Sequence, residues 1–190
     1  MTSETMISIF LGVGLAASVG FRVFLPLFAL SLASYFGLWE LNDSWNWIGS
    51  IPALVTLGVA TAVEIFAYFI PYVDNLLDSI ALPLATIAGT AVMVATVADL
   101  DPLVTWSLAI IAGGGTAAAI KGASATGRLT STATTAGFGN PVISFLETIT
   151  SLLFSVVSIL APVIASVLVI ILLIFIFTIY RKLRPRLSKK

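Results

Sequence analysis

The chain has 190 residues, of which 59% are apolar and 9% charged; nine basic residues balance nine acidic ones, and there is no Cys or His. A soluble globular protein carries roughly 25% charged residues, so this composition excludes a freely soluble fold and points to a lipid bilayer. Without Cys or His there is no thiolate or imidazole metal ligand, no disulfide framework, and no Ser-His-Asp or Cys-His nucleophile arrangement.

The first stretch, from about residue 5 to 36, carries a single charge, Arg22. At 1.5 Å per residue it measures roughly 48 Å, too long for a ~30 Å hydrocarbon core. It is expected to tilt, break or fold back. Gly20, Phe21, Arg22 and Pro26 mark the break, because Pro lacks a backbone donor and clashes with the preceding turn. Gly12, Ala16 and Gly20 have the small-xxx-small spacing of a close helix contact. No basic residue precedes Arg22, so the N-terminus lacks the basic region of a cleaved signal peptide and is expected to stay in the mature chain.

The loop from Gly37 to Ser50 holds Glu40, Asp43, Trp39, Trp45 and Trp47 but nothing basic, which suits the outer face with its Trp rings at headgroup level. Helices are then expected over about 51–71, carrying Glu64, over 79–98, with Asp74 and Asp78 before it, and over 103–121, after the acidic turn at Asp99 and Asp101. Lys121 to Arg128 is placed on the cytoplasmic side or just inside it. Segments 129–158 and 162–180 follow, the first interrupted at Gly137-Phe138-Gly139-Asn140-Pro141. The tail, residues 181–190, holds six of the nine basic residues, and the positive-inside rule makes it cytoplasmic.

These placements give an all-α polytopic membrane domain over residues 1–180, with about six transmembrane segments, two interrupted helices and a basic cytoplasmic tail. Both termini lie inside if the first segment crosses; if it re-enters, the N-terminus moves outside. Each half runs from a small-residue segment through a Glu, Glu64 or Glu147, to a helix near Pro83 or Pro162, the order expected of a 3+3 inverted repeat.

Charges at membrane depth cost about 2.5 to 3.5 kcal/mol each on insertion scales, so each needs a partner or a purpose. Arg22, Glu64, Lys121, Arg128 and Glu147 are such charges, with Asp74 and Asp78 at a helix end. Read as a helix, residues 121–135 put Lys121, Ser124, Arg128, Ser131 and Thr135 on one face. Two cationic heads and several hydroxyls there suit an anion or a phosphate, and the same small residues suit tight helix packing. Enzymatic readings are weaker. Lys121 and Ser124 lack any motif supporting a Ser–Lys nucleophile, and Asn140 stands where an aspartyl pair with Asp74 needs a second acid.

Taken together, the stretch Gly20-Phe21-Arg22-Val23-Phe24-Leu25-Pro26-Leu27, the run from Glu64 through Pro71-Tyr72-Val73-Asp74 to Asp78, and Gly113-Gly114 through Lys121 and Arg128 to Asn140-Pro141 and Glu147 carry a resemblance. They resemble the bacterial membrane family known as domain of unknown function 4126, over about residues 8–180. The chain departs from that family's pattern at Phe69-Ile70, where a polar pair often precedes the Pro, and at Leu82, where a basic residue often stands. The resemblance implies a multi-pass protein of the bacterial cytoplasmic (inner) membrane with no established activity.

The resulting expectation is a small transporter or channel-like protein for an anion or a phosphate-bearing lipid, with no catalytic residues, metal or cofactor. Its partners are expected to be membrane lipids, an anionic small molecule or lipid phosphate, and further copies of itself, with no nucleic acid. Arg22, Lys121 and Arg128 supply the positive field, Ser124 a hydroxyl, and Glu64 and Glu147 the counter-charges or proton carriers. The alternative is a non-transporting scaffold or assembly protein. Carboxylate partners for all three cations, with no polar cavity beside them, favour the scaffold; a hydrated pocket near the midplane lined by unpaired cations favours transport.

Overall fold

The computed structural model describes residues 2–97 and 100–183; Asp99 and the tail from Arg184 lie outside them. The described residues form eight α-helices and no strand: α1 (Ser3–Phe21), α2 (Phe24–Tyr35), α3 (Ile51–Ala67), α4 (Pro71–Thr96), α5 (Pro102–Leu108), α6 (Gly115–Thr135), α7 (Asn140–Leu160) and α8 (Pro162–Leu183). A 3₁₀ turn over Asp43–Gly49 precedes α3, and a π-helical turn over Ala109–Gly114 joins α5 to α6. Five helices are long and apolar enough to cross a membrane, counting Pro102–Thr135 as one; the bent pair of 3₁₀ turn and α3 brings the total to six. The all-α polytopic architecture is therefore present.

Local chemistry sets the helix starts. Pro52, Pro71, Pro102, Pro141 and Pro162 stand in the first turns of their helices, where the missing N–H has no intrahelical partner to lose. Thr2, Ser50 and Asp101 cap α1, α3 and α5 by accepting from the backbone N–H of Thr5, Ala53 and Leu103, which satisfies donors the helix leaves open.

The chain breaks at Arg22, whose backbone is extended (φ −136°, ψ 132°). Pro26 falls in the first turn of α2. Because α1 alone is 19 residues, about 28 Å at the helical rise, Arg22 ends a span rather than interrupting one at its middle. The two pieces then fold back on each other. Arg22 reaches Ser144 in the first turns of α7, whereas Trp39, just beyond α2, donates to the Ile159 carbonyl at the last turn of α7 (3.0 Å). The N-terminal end of α1 lies beside the start of α8, with Ser166 donating to Phe10 O (3.0 Å). The start of α1 and the end of α8 therefore lie at opposite ends of the bundle, which is the re-entrant outcome of the sequence parity.

Three segment boundaries shift for physical reasons. The helix expected over 79–98 begins at Pro71 and runs through Pro83, so Asp74 and Asp78 lie on a helix face. The helix expected to stop at 121 continues to Thr135, because Lys121 and Arg128 are buried at 2% exposure each against partners rather than solvated in a loop. The break at 137–141 joins two antiparallel helices, α6 and α7. Ala136 (φ 52°) and Gly137 (φ 88°) adopt the left-handed conformation that ends a helix sharply.

At the centre lies α1, with Leu15, Ala16, Ala17 and Val19 fully buried. Gly12 faces Met93 and Thr96 of α4, and Gly20 faces Ala117 and Ile120 of α6, so the small-residue spacing serves close packing, as expected. Hydroxyls fill the seam with α7: Ser18 donates to Ser151 O (2.6 Å) and bonds Ser155 Oγ (2.7 Å). Backbone meets backbone between α4 and the π-helical turn, where a Cβ on Gly89 would sit 2.9 Å from Gly113 O and one on Gly113 2.6 Å from Gly89 O.

Candidate functional site

Two charges secure the break between α1 and α2. Lys121 Nζ donates to Phe21 O (3.2 Å), one of the carbonyls that α1 leaves open. Glu64, near the end of α3, accepts from Val23 N (2.8 Å) with one oxygen and Phe24 N (3.0 Å) with the other. A cation at a helix C-terminus and an anion at a helix N-terminus both oppose the local dipole, so the charges stabilise the break without pairing with each other. Among the described residues, Lys121 forms no ion pair with a carboxylate.

Arg22 is fully buried. Its Nη2 donates to Ser144 O (2.7 Å) and Ser144 Oγ (2.5 Å), and its Nε to Thr148 Oγ1 (3.0 Å). The Glu147 carboxylate is 3.8 Å away. Its Nη1 has no hydrogen-bond partner among the described residues. Arg128 is more tightly held. Nη1 meets Asp74 Oδ1 at 2.5 Å, while Nη2 and Nε grip the two oxygens of Glu147 at 2.5 and 3.2 Å. Such a fork adds geometric specificity to charge. Ser124 also donates to Glu147. Asp78 comes no closer to Arg128 than 3.9 Å and makes no hydrogen bond among the described residues.

Tyr68 is the hub. The Arg22 guanidinium lies 4.1 Å and that of Arg128 4.6 Å from its ring centroid, with Lys121 Nζ at 6.0 Å. The ring quadrupole attracts cations, more strongly when water is excluded, so one aromatic face system offsets the mutual repulsion of three positive heads.

Two cavities open beside this network. One of about 380 Å³ is lined by Tyr68, Phe69, Asp74, Phe138, Asn140 and Thr132 among others; the other, of about 280 Å³, by Asp78, Ser79, Arg128, Thr132 and Asn140 among others. Thr132 and Asn140 border both and hydrogen-bond each other, Asn140 Nδ2 donating to Thr132 Oγ1 at 3.1 Å. The cavities are thus two lobes of one vestibule at the charged end of the bundle, polar groups standing in a mostly apolar lining.

All eight residues singled out in the sequence, Arg22, Glu64, Asp74, Asp78, Lys121, Ser124, Arg128 and Glu147, gather at this end. Their grouping differs from the expected anion stripe. Ser131 and Thr135 bond each other and the turn, with Gly139 N donating to Thr135 Oγ1 (3.0 Å), so the lower stripe closes the α6–α7 hairpin. Lys121 and Ser124 take separate partners and do not meet as a nucleophile pair. Sequence reasoning missed Tyr68, Ser144 and Thr148. For Tyr68 a signal exists: it stands four residues after Glu64, on the same helical face.

No curated protein and no solved structure matches the chain. The model of one family, described as a domain of unknown function (DUF4126), matches residues 9–182, which takes in every residue of the charged network and both lobes of the vestibule, and the chain belongs to that family.

Proposed function

We propose that the protein is a small transporter or channel-like protein whose solute site is the vestibule at the charged end. One observation carries this reading: a two-lobed cavity, with polar groups set into a mostly apolar lining, lies directly against buried Arg128, Asp74 and Tyr68. Ionisable groups within membrane bundles mark solute or ion paths by default, and a concave site with a few convergent polar groups is where a ligand is expected.

Charge argues against the anion first expected. Four carboxylates, Glu64, Asp74, Asp78 and Glu147, surround three cations, and Arg128 has its donors committed to Asp74 and Glu147. At Arg128 an anion would have to displace a carboxylate, and Arg22, whose Nη1 is left unpartnered among the described residues, lines neither lobe, whereas a cationic solute or a proton meets the surplus negative charge. Arg181 and Lys182 close α8 at the same end, so the positive-inside rule turns the vestibule toward the cytoplasm of a bacterial inner membrane and the N-terminus outward. The inverted repeat plays no part in this reading, since α1 and α6, which the sequence echo pairs, both run toward the charged end.

The test is flux of Na⁺, protons, chloride and phosphate in proteoliposomes. The wild type is expected to move at least one of them above protein-free vesicles, and Arg22→Ala and Glu64→Gln to lower that flux while a folded protein is recovered. No flux of any of the four through folded wild-type protein overturns the reading. The scaffold alternative draws on the carboxylate contacts of Arg22 (3.8 Å) and Arg128 (2.5 Å); Lys121, held by a backbone carbonyl, and the vestibule oppose it.

A further inference from the structure

We infer that the lobe bounded by Asp78, Ser79, Thr132 and Asn140 is a binding site for a hard monovalent cation, with Na⁺ the matching probe. The inference starts from the four acids. Glu64 is satisfied by two backbone N–H groups, Asp74 by Arg128, and Glu147 by Arg128 and Ser124. Asp78 alone has no hydrogen bond among the described residues, and its only ion pair is the long one, 3.9 Å, to Arg128. Its side chain is only 25% exposed, so water replaces the missing partners incompletely. A carboxylate in that position calls for a positive charge.

The surroundings supply ligands of the right kind. Ser79 spends its proton on Leu76 O (2.6 Å), which leaves its oxygen lone pairs available. Thr132 Oγ1 and the Asn140 side-chain amide add further oxygens in the same cavity. Carboxylate, hydroxyl and amide oxygens are the donors that hard cations select.

Net charge sets the valence. Arg128 borders the lobe as well, but Asp74 and Glu147 each lie 2.5 Å from it, so its field is already offset, and across the whole network four carboxylates against Arg22, Lys121 and Arg128 leave a surplus of one negative charge. No group of three or more acidic residues suited to a metal ion occurs among the described residues, whereas a divalent ion bound in a protein cage ordinarily gathers several carboxylates. A lobe of about 280 Å³ leaves room for the ion and some of its water. The site deepens the transport reading by naming its ion and rests on that reading for what binding accomplishes, but binding itself is measurable without flux.

The experiment is equilibrium binding of ²²Na⁺ to the purified full chain in detergent, with choline chloride holding ionic strength constant. Saturable binding of one ion per chain is expected. Asp78→Asn is expected to weaken it by about tenfold or more, which corresponds to about 1.4 kcal/mol, and Thr132→Val by a smaller factor, while Glu40→Gln in the exposed Trp-rich loop leaves it unchanged. Thr132→Val keeps the test decisive if Asp78→Asn fails to fold. Absence of saturable binding by the wild type, or binding unaltered in both site variants, overturns the site. Proton uptake at Asp78 without ²²Na⁺ binding also overturns it. Binding without flux preserves the site and removes the transporter, and flux of another solute with no Na⁺ binding does the reverse.

Discussion

Tyr68 holds more of the charged network together than any single ion pair, because the cations that repel one another converge on its ring. Tyr68→Leu is expected to destabilise the protein by about 2 kcal/mol, the scale of a desolvated cation–π contact, and Tyr68→Phe to restore most of that, as read by chemical unfolding in detergent. Arg128→Ala leaves Asp74 and Glu147 without their main partner and is expected to cost about 3–5 kcal/mol, part of it recovered when Glu147→Gln is added. At this scale the charges were legible in the sequence, since ionisable residues are rare in it and each one demands a partner. Tyr68, Ser144 and Thr148 were not. A neutral aromatic or hydroxyl carries no such demand, and spacing along one helix does not reveal what another helix brings to it.

At the scale of elements, Pro and cap residues made most helix starts readable. The errors fell where charge was taken for solvent. The sequence places Asp74 and Asp78 at a helix end, before a helix starting at 79, and Lys121 to Arg128 on the cytoplasmic side or just inside it, yet each lies within a helix because its partners lie across the bundle rather than in water. The seam of α4 with the π-helical turn allows a separate check on packing. Gly89→Leu or Gly113→Leu forces a side chain into opposed backbone and is expected to destabilise by about 1–3 kcal/mol, as overpacking does. Gly122→Ala, whose added Cβ would meet nothing within 4 Å, is expected to be close to neutral in the same unfolding measurement.

For the whole molecule, the bilayer class followed from composition alone, while the parity of the crossings did not. It turned on whether one 32-residue stretch crosses or doubles back, and only contacts of Arg22 and Trp39 with opposite ends of α7 decide that. The absence of Cys makes sidedness simple to measure. In inside-out and right-side-out vesicles, Thr134→Cys is expected to react with a membrane-impermeant maleimide from the cytoplasmic side, and Trp47→Cys from the opposite side. Labelling of both positions from one side removes the proposed orientation.

The unbroken rod from Pro102 to Thr135 is 34 residues long, about 51 Å, and even at a 40° tilt it spans roughly 39 Å against a ~30 Å core. Its surplus length is rich in Thr, and Thr126, Thr130 and Thr134 face outward. In the transport reading proposed above, that surplus carries Thr132 and Asn140 to the mouth of the vestibule, and filling of the mouth is then expected to follow the bulk electrolyte more than the surrounding lipid.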